Sequence, residues 1–238
     1  MSSTYNPGRV AGLLYLLLVL AAPLRLLYIP SALFVRGDAT STANNIAANE
    51  LLFRVGILSE LVCGVIVIFL TLALYRLFRE VDRNLAVLVV ILGGLLPAAI
   101  DFFIGLTDAA ALMLVRGPEF LSVFDKPQRD ALAMLFLRLH HHQILAAEIL
   151  WGLWLFPLGI LAYRSRFLPR FIGVWLTING FAYLAISFTG FLLPQYENTV
   201  SNLAFPALLG EIAIMLWLLI KGARPQPLQA AATTSAGG

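Results

Sequence analysis

Six long apolar stretches, separated by short polar segments, constrain this chain more than any other feature of its sequence. They cover about residues 10–29, 51–75, 85–115, 132–163, 171–193 and 203–220. A helix of about 20 apolar residues crosses the bilayer core of about 30 Å, so each stretch is long enough to span a membrane. The sequence therefore predicts an all-α, six-helix transmembrane bundle that lies in a lipid bilayer.

The composition supports this interpretation. Hydrophobic residues make up 60% of the 238 residues and charged residues only 12%, whereas soluble domains average about 25% charged residues. Because the apolar stretches occupy almost all of the chain up to residue 222, we expect one transmembrane domain over residues 1–222 and no separate soluble domain. Residues 223–238 are small, polar and proline-containing, which predicts a disordered C-terminal tail.

Lysine and arginine are distributed unevenly between the two faces of the predicted bundle. One face holds Arg9, Arg76, Arg79, Arg83, Arg164, Arg166, Arg170, Lys221 and Arg224, and the other holds Arg36, Arg54, Arg116, Lys126 and Arg129. Because cytoplasmic loops carry the excess of basic residues, we expect both termini to be cytoplasmic. These residues lie at helix ends rather than in a patch interleaved with aromatics, so the net charge of +3 does not indicate a nucleic-acid partner.

Single residues predict details of the helices. The polar segment after Gly37 predicts a short interfacial helix capped by Asp38. Pro97 predicts a kink in the third helix. The fourth helix, at 1.5 Å per residue, would be about 48 Å long and exceed the bilayer core, so we expect it to tilt, to kink at Pro157 or to project from the membrane.

Ionisable residues inside the apolar stretches are the candidate site residues. Counted from the helix ends, they fall in the outer half of the bundle or near its middle. They are Arg25, Glu60, Asp101, His141, Glu148 and Glu211. A charge at a helix centre costs about 2.5–3.5 kcal/mol on insertion scales, so such groups face protein, water or one another. We expect them to line a polar cavity in the outer half that binds or moves a small polar ligand or ion.

A structural role is one alternative. If Arg25 pairs with Glu60 or Asp101, and Arg138 pairs with a glutamate, the charges only fix the helix packing. The protein would then be a membrane scaffold without a ligand-sized cavity. Asp108, near the outer end of its helix, is expected to be solvated.

An intramembrane metal-dependent hydrolase is the other alternative. His141 and Glu148 lie two turns apart on one helix face and could ligate a metal such as zinc, with another carboxylate as general base. Their spacing differs from the H-E-x-x-H arrangement. Since imidazole titrates near neutrality, the histidines could also carry protons. The single cysteine, Cys63, leaves no disulfide within the chain.

Three segments resemble the bacterial multi-pass family catalogued as domain of unknown function 4386. They are Gly37 to Gly56, Leu74 to Ala86 and Gly152 to Gly173. The resemblance covers about Arg9 to Ile220, and a histidine near the position of His140 is also similar. It implies a multi-pass protein of the cell (inner) membrane with about six helices. It implies no activity, cofactor or binding residue, and the ligand and the oligomeric state stay open.

Overall fold

The structure is a computed structural model that describes residues 6–223, and within that range it is all-helical. Six helices are long and apolar enough to span a membrane. The helices are α1 (Pro7–Leu33), the short α2 (Ala39–Ala48), α3 (Glu50–Phe78), α4 (Arg83–Arg116), α5 (Lys126–Arg164), α6 (Arg170–Leu192) and α7 (Pro194–Ile220). The predicted all-α bundle with six membrane-length helices is confirmed. Residues 224–238 of the predicted tail lie outside the described range.

The six long helices form a closed ring in chain order. α1 packs against α3, α3 against α4, α4 against α5, α5 against α6 and α6 against α7, and α7 returns to α1. The ring closes where the amide of Gly8 donates to the carbonyl oxygen of Ala223 (3.0 Å) and the Ala223 amide donates to the side chain of Asn6 (3.1 Å). We call the half of the bundle that contains these residues the termini half, and the opposite half, which carries α2, the α2 half.

Two of the helices contain a π-helical segment beside a proline. In α1 it covers Leu24–Tyr28 and ends two residues before Pro30, and in α4 it covers Ile91–Leu95 and ends two residues before Pro97. Proline has no backbone N–H to donate, so the regular hydrogen-bond ladder shifts at these points. The π-helical segment of α4 thus lies next to Pro97, where the sequence predicts a kink.

The helix α5 is a single helix of 39 residues that continues through Pro157. At 1.5 Å per residue it is about 58 Å long, almost twice the bilayer core of about 30 Å. Arg164 ends the helix at the termini end, and Lys126 begins it at the α2 end. There α2 packs against it, with Ile46 fully buried.

The short helix α2 begins as the sequence predicts. Asp38 is its N-cap, and its carboxylate accepts hydrogen bonds from the Ser41 amide (2.8 Å) and the Ser41 hydroxyl (2.6 Å). An N-cap carboxylate satisfies amides that have no partner within the helix. α2 contacts α3, α4 and α5, so it covers the α2 end of the bundle on the side of these three helices.

The termini half is filled by apolar side chains from every long helix. Its fully buried members include Leu70, Leu74, Leu77, Phe78, Leu155, Leu158, Leu161, Leu176 and Leu218. Glycines bring α5 and α6 into backbone contact there. A Cβ atom added to Gly173 would lie 2.6 Å from the carbonyl oxygen of Gly159. This close packing holds the framework on which the polar side chains of the α2 half are placed.

Candidate functional site

Arg25, Glu60 and Asp101 form a buried cluster contributed by α1, α3 and α4. The Arg25 guanidinium donates a hydrogen bond to the Glu60 carboxylate, and the two side chains are 10% and 2% exposed. The Asp101 side chain is also buried, beside this pair. Gly64 permits this approach, because its Cα lies so close to Asp101 that an added Cβ would be 3.2 Å from the aspartate Cβ. One ion pair and a second carboxyl group are therefore buried together.

A second buried pair joins α4 and α5. His140 Nδ1 lies 2.8 Å from Asp108 Oδ1, and both side chains are largely buried. One turn away, Gln143 donates to the hydroxyl of Thr107 (3.1 Å). Asp108 is thus buried and paired, and the expectation that it is solvated is wrong. It lies seven residues after Asp101, so both carboxylates point from the same face of α4.

A small cavity lies between these two pairs. Its volume is about 20 Å³, which is room for about one water molecule. Polar side chains of Arg25, Glu60, Asp108 and His140 line one part of it, and the ring of Phe34 lines another. We call this space the buried cavity.

Glu211 belongs to a different cluster, near the middle of the bundle. Its carboxylate accepts hydrogen bonds from the hydroxyl groups of Tyr15 in α1 and Tyr183 in α6 (2.9 Å for Tyr183). Trp154 packs on Tyr15 and Trp151 on Tyr183, with ring centroids 6.2 and 5.8 Å apart. Two aromatic donors thus satisfy a carboxylate that is partly buried. The sequence analysis missed both tyrosines, because single tyrosines in an apolar helix carry no spacing signal.

A larger concave surface lies at the α2 end, between α5 and the segment that leads from α1 to α2. Its volume is about 480 Å³. We call it the basic groove, and its lining residues are Phe34, Val35, Arg36, Gly37, Met134, Leu137, Arg138, His141 and His142. The guanidinium groups of Arg36 and Arg138 have no hydrogen-bond or ion-pair partner among residues 6–223. No carboxylate side chain of the described residues lines the groove, and Glu197 lies beside it, 3.4 Å from His141.

The six predicted site residues do not share one cavity. Arg25, Glu60 and Asp101 lie together, and Glu211 binds the two tyrosines of its own cluster. One oxygen of Glu148 is buried without a hydrogen-bond partner in the described part of the chain. His141 is 53% exposed and belongs to the basic groove. The histidine that reaches the buried charges is His140. It can do so although His141 cannot, because the side chains of adjacent helical residues point about 100° apart.

The metal hypothesis for His141 and Glu148 gains no support from the geometry. Within residues 6–223, no three His, Cys, Asp or Glu side chains are grouped so that they could hold a metal ion. A catalytic zinc site needs about three protein ligands around one point. The scaffold hypothesis accounts for the Arg25–Glu60 pair, but it does not account for a groove of about 480 Å³ or for Arg138, which has no partner in the described part of the chain.

These features define the class of protein. Large apolar side chains such as Leu20, Phe103 and Leu203, which are 65–77% exposed, cover the outward surface of the ring, while ionisable groups are buried inside it. That distribution is the reverse of a soluble protein and fits a multi-pass membrane protein.

The chain belongs to the family described as domain of unknown function (DUF4386), whose family model matches residues 10–222. The resemblance noted from the sequence is thereby confirmed. No curated protein and no solved structure matches the chain.

Proposed function

We propose that this membrane protein binds a small anionic ligand in the basic groove. Of the two cavities described, only the groove has the 300–1,000 Å³ that ligand pockets usually have. The observation that carries the proposal is the pair of arginines, Arg36 and Arg138, that line the groove and have no partner among residues 6–223. Arginine binds carboxylate and phosphate groups through two parallel hydrogen bonds.

The remaining lining residues narrow the chemistry of the ligand. Phe34, Met134 and Leu137 give the groove an apolar wall next to its basic groups. A ligand with an anionic group and an apolar portion complements both surfaces. A carboxylate or phosphate ester has this character, whether it is a free solute or the headgroup of a lipid.

Binding is better supported than passage through the bundle. The termini half below the groove is closed by fully buried leucines such as Leu74, Leu155 and Leu158. A transported ligand would have to displace this packed core. We therefore place the function at the α2 end and assign the termini half a supporting role.

We also propose that the α2 end faces the outside of the cell and that both termini are cytoplasmic in the cell (inner) membrane. The excess of lysine and arginine at the termini end supports this orientation. Fusion of a fluorescent protein that folds only in the cytoplasm to the C-terminus tests it. Fluorescent cells are expected, whereas dark cells with a full-length, membrane-inserted fusion would contradict the orientation.

Ligand-dependent stabilisation tests the anion site. The purified protein, in a zwitterionic detergent and at constant ionic strength, is titrated with inorganic phosphate, acetate or a short-chain fatty acid while its thermal unfolding is followed. At least one anion is expected to raise the midpoint in a saturable manner. Arg138→Gln should weaken that binding about tenfold or more, because a charge-assisted hydrogen bond contributes about 1.5–3 kcal/mol.

Arg116→Gln is the matched control, since Arg116 is an exposed arginine at the same end of the bundle and outside the groove. It should bind as the wild type does. Native mass spectrometry after reconstitution with phosphatidylglycerol separates a lipid headgroup from a free anion. If neither the solutes nor the lipid binds, the groove is not an anion site. If Arg138→Gln and Arg116→Gln weaken binding equally, the groove is not a specific one. Either result would favour the scaffold hypothesis.

A further inference from the structure

The contact between α1 and α7 that closes the ring is confined to the termini half. α1 packs against α7 along Pro7–Pro23, whereas its residues 24–33 pack against α3 and make no extended contact with α7 among the described residues. Burial shows the same division. The buried residues of α7 begin at Gly210, and every residue from 197 to 209 is at least partly exposed. The two helices are therefore apart in the α2 half.

One face of α7 shows that this separation opens the interior of the ring. Glu211 points inward, because its carboxylate accepts hydrogen bonds from the tyrosines of α1 and α6. The same face continues toward the α2 end, at helical spacing, with Ala207, Ala204 and Val200. Each of these three residues is only half-buried although it faces inward. We call the space between residues 24–33 of α1 and residues 197–209 of α7 the lateral gap.

The lateral gap adjoins the basic groove. His141 lines the groove, and its Nε2 atom lies 3.4 Å from Oε1 of Glu197 at the start of the gap-lining part of α7. His142 also lines the groove, and its ring lies 6.1 Å, between centroids, from that of Phe191 in the last turn of α6. The two spaces thus meet where α6 ends and α7 begins.

The length of α6 indicates the depth of both spaces in the bilayer. Its 23 residues extend about 34 Å, which is close to the bilayer core of about 30 Å. Since α6 begins at the termini end, Phe191 lies near the bilayer surface at the α2 end. The basic groove beside Phe191 is then at the level of the lipid headgroups, and the lateral gap is at the level of the acyl chains.

We propose that the anion bound in the basic groove is the headgroup of a membrane lipid, and that the acyl chain of the same lipid lies in the lateral gap. The proposal rests on the proposed anion site and names the class of its ligand. A lipid phosphate or carboxylate matches the two parallel hydrogen bonds that an arginine such as Arg138 can donate. An acyl chain matches the lateral gap, where apolar side chains such as Leu27 and Leu203 are exposed.

A polar group behind the lateral gap narrows the class of lipid further. Glu148 follows His141 by two turns on the same face of α5, which places it about 10 Å from that histidine along the helix axis. One of its oxygen atoms is buried and has no hydrogen-bond partner in the described part of the chain. A hydroxyl or amide N–H group next to the acyl chain can donate to this oxygen. A phosphate lipid with a free glycerol hydroxyl, such as lysophosphatidic acid, offers both groups.

Photo-crosslinking in a bilayer tests this position. The full-length protein is reconstituted into phosphatidylcholine nanodiscs with lysophosphatidic acid that carries a diazirine near the end of its chain, and mass spectrometry identifies the labelled peptides. Labelling of residues 24–33 and 197–209 should be saturable and should fall when unlabelled lysophosphatidic acid competes. Phe103, which is exposed on the far side of the ring, reports the surrounding lipid, and its labelling should not saturate.

Two arginine variants show whether the groove holds the headgroup. Arg138→Gln should reduce labelling of the lateral gap about tenfold, since a charge-assisted hydrogen bond is lost. Arg116→Gln, at an exposed arginine outside the groove, should leave the labelling unchanged.

Ala204→Phe separates the chain from the headgroup. The added ring fills the lateral gap from its inward face, so we expect labelling there to be lost while inorganic phosphate still raises the unfolding midpoint as in the wild type. Leu203→Phe, at an exposed position on the same turn, should keep the labelling.

The outcomes distinguish this inference from the anion site on which it rests. If labelling of the gap neither saturates nor depends on Arg138, but phosphate binding still does, the anion site stands and the lipid assignment is wrong. If neither lipid labelling nor phosphate binding depends on Arg138, both proposals fail. Loss of the gap labelling to cross-links between two protein chains would assign the gap to a second copy and overturn the lipid assignment.

Discussion

The termini half and the α2 half of the ring bury different kinds of side chain. The termini half contains leucine, isoleucine and aromatic residues in close contact, together with glycines that bring α5 and α6 together. The α2 half contains the buried charge cluster, the His140–Asp108 pair, the buried cavity and the basic groove. Near the boundary, Glu211 is held by two tyrosines.

This contrast shows where stability and chemistry are separated in the molecule. Lipid chains are as apolar as leucine, so the hydrophobic effect does not hold membrane helices together, and close packing must do so. The termini half meets that requirement. The packing of the termini half then holds the polar groups of the α2 half in position. Their own ion pairs would not be enough, because the cost of desolvating the charges offsets much of the energy gained from pairing them.

The largest effect is expected from Arg25→Met, which removes the only cation of the buried cluster. Removal of one partner from a buried ion pair costs about 3–5 kcal/mol, because the other charge is left uncompensated. The free energy of unfolding, measured by titration with SDS in mixed micelles, should fall by this amount. The double variant Arg25→Met/Glu60→Gln should recover most of the loss, and an equally unstable double variant would show that Arg25 stabilises the bundle in another way.

Gly173→Ala tests whether the termini half tolerates any added volume. The new Cβ atom would lie 2.6 Å from backbone atoms of Gly159 and Tyr163, so α5 and α6 must separate. We expect a loss near the upper end of the about 1–3 kcal/mol that overpacking costs. Gly56→Ala is the matched change in the α2 half, where the nearest atom is the terminal methyl of Ile29, which can move. Equal losses in the two variants would contradict the difference between the halves.

Tyr183→Phe tests the hydrogen bonds to Glu211 near the boundary between the two halves. It removes one donor from the partly buried Glu211 carboxylate while it keeps the ring that packs on Trp151. Since a hydrogen bond to a charged group contributes about 1.5–3 kcal/mol, unfolding in SDS should become easier by about that amount. Tyr196→Phe, at an exposed tyrosine, should have no effect, and a similar loss there would mean that the Tyr183 hydroxyl plays no special role.

The smallest effect concerns the cap of α2 and depends on pH. The Ser41 hydroxyl and the Ser41 amide bond to the carboxylate of Asp38 and hold its pKa below the usual value. Because the pKa is lower in the folded state, the cap stabilises α2 above the unfolded pKa of about 3.9 and is lost as the pH falls through the folded value. Hydrogen-exchange protection of α2, corrected for intrinsic rates, should decrease below about pH 4.

Asp38→Asn is the control for this prediction. Asparagine is as good an N-cap as aspartate but does not titrate. The variant should therefore keep the protection of α2 at neutral pH and lose its dependence on acid. If the variant shows the same acid dependence as the wild type, another group is responsible.

The fold was predictable because its main signals are local. The number of long helices follows from apolar runs, the start of α2 from Asp38 and the irregularity in α4 from Pro97. Each of these features depends on residues that are close together in the chain.

The site was only partly predictable, because it depends on how neighbouring helices are rotated and aligned. Helical spacing places a residue on one face of its own helix but does not identify the residue opposite it. His140 and His141 are separated by about 100°, and that angle decides which of them meets Asp108. The π-helical segment after Pro23 changes the phase of α1 at Arg25. The two-turn spacing of Asp101 and Asp108 was the one available signal that Asp108 faces the interior.

The order of helices in the ring has a consequence for how the protein is made. Each long helix of the ring packs against the next long helix to leave the ribosome, and the contact between α1 and α7 closes the ring. That contact forms only after translation has passed α7, when Ala223 reaches the backbone of Gly8. Until then Tyr15 has no Glu211 to bond, so a nascent chain inserts its first helix long before that helix acquires its last partner.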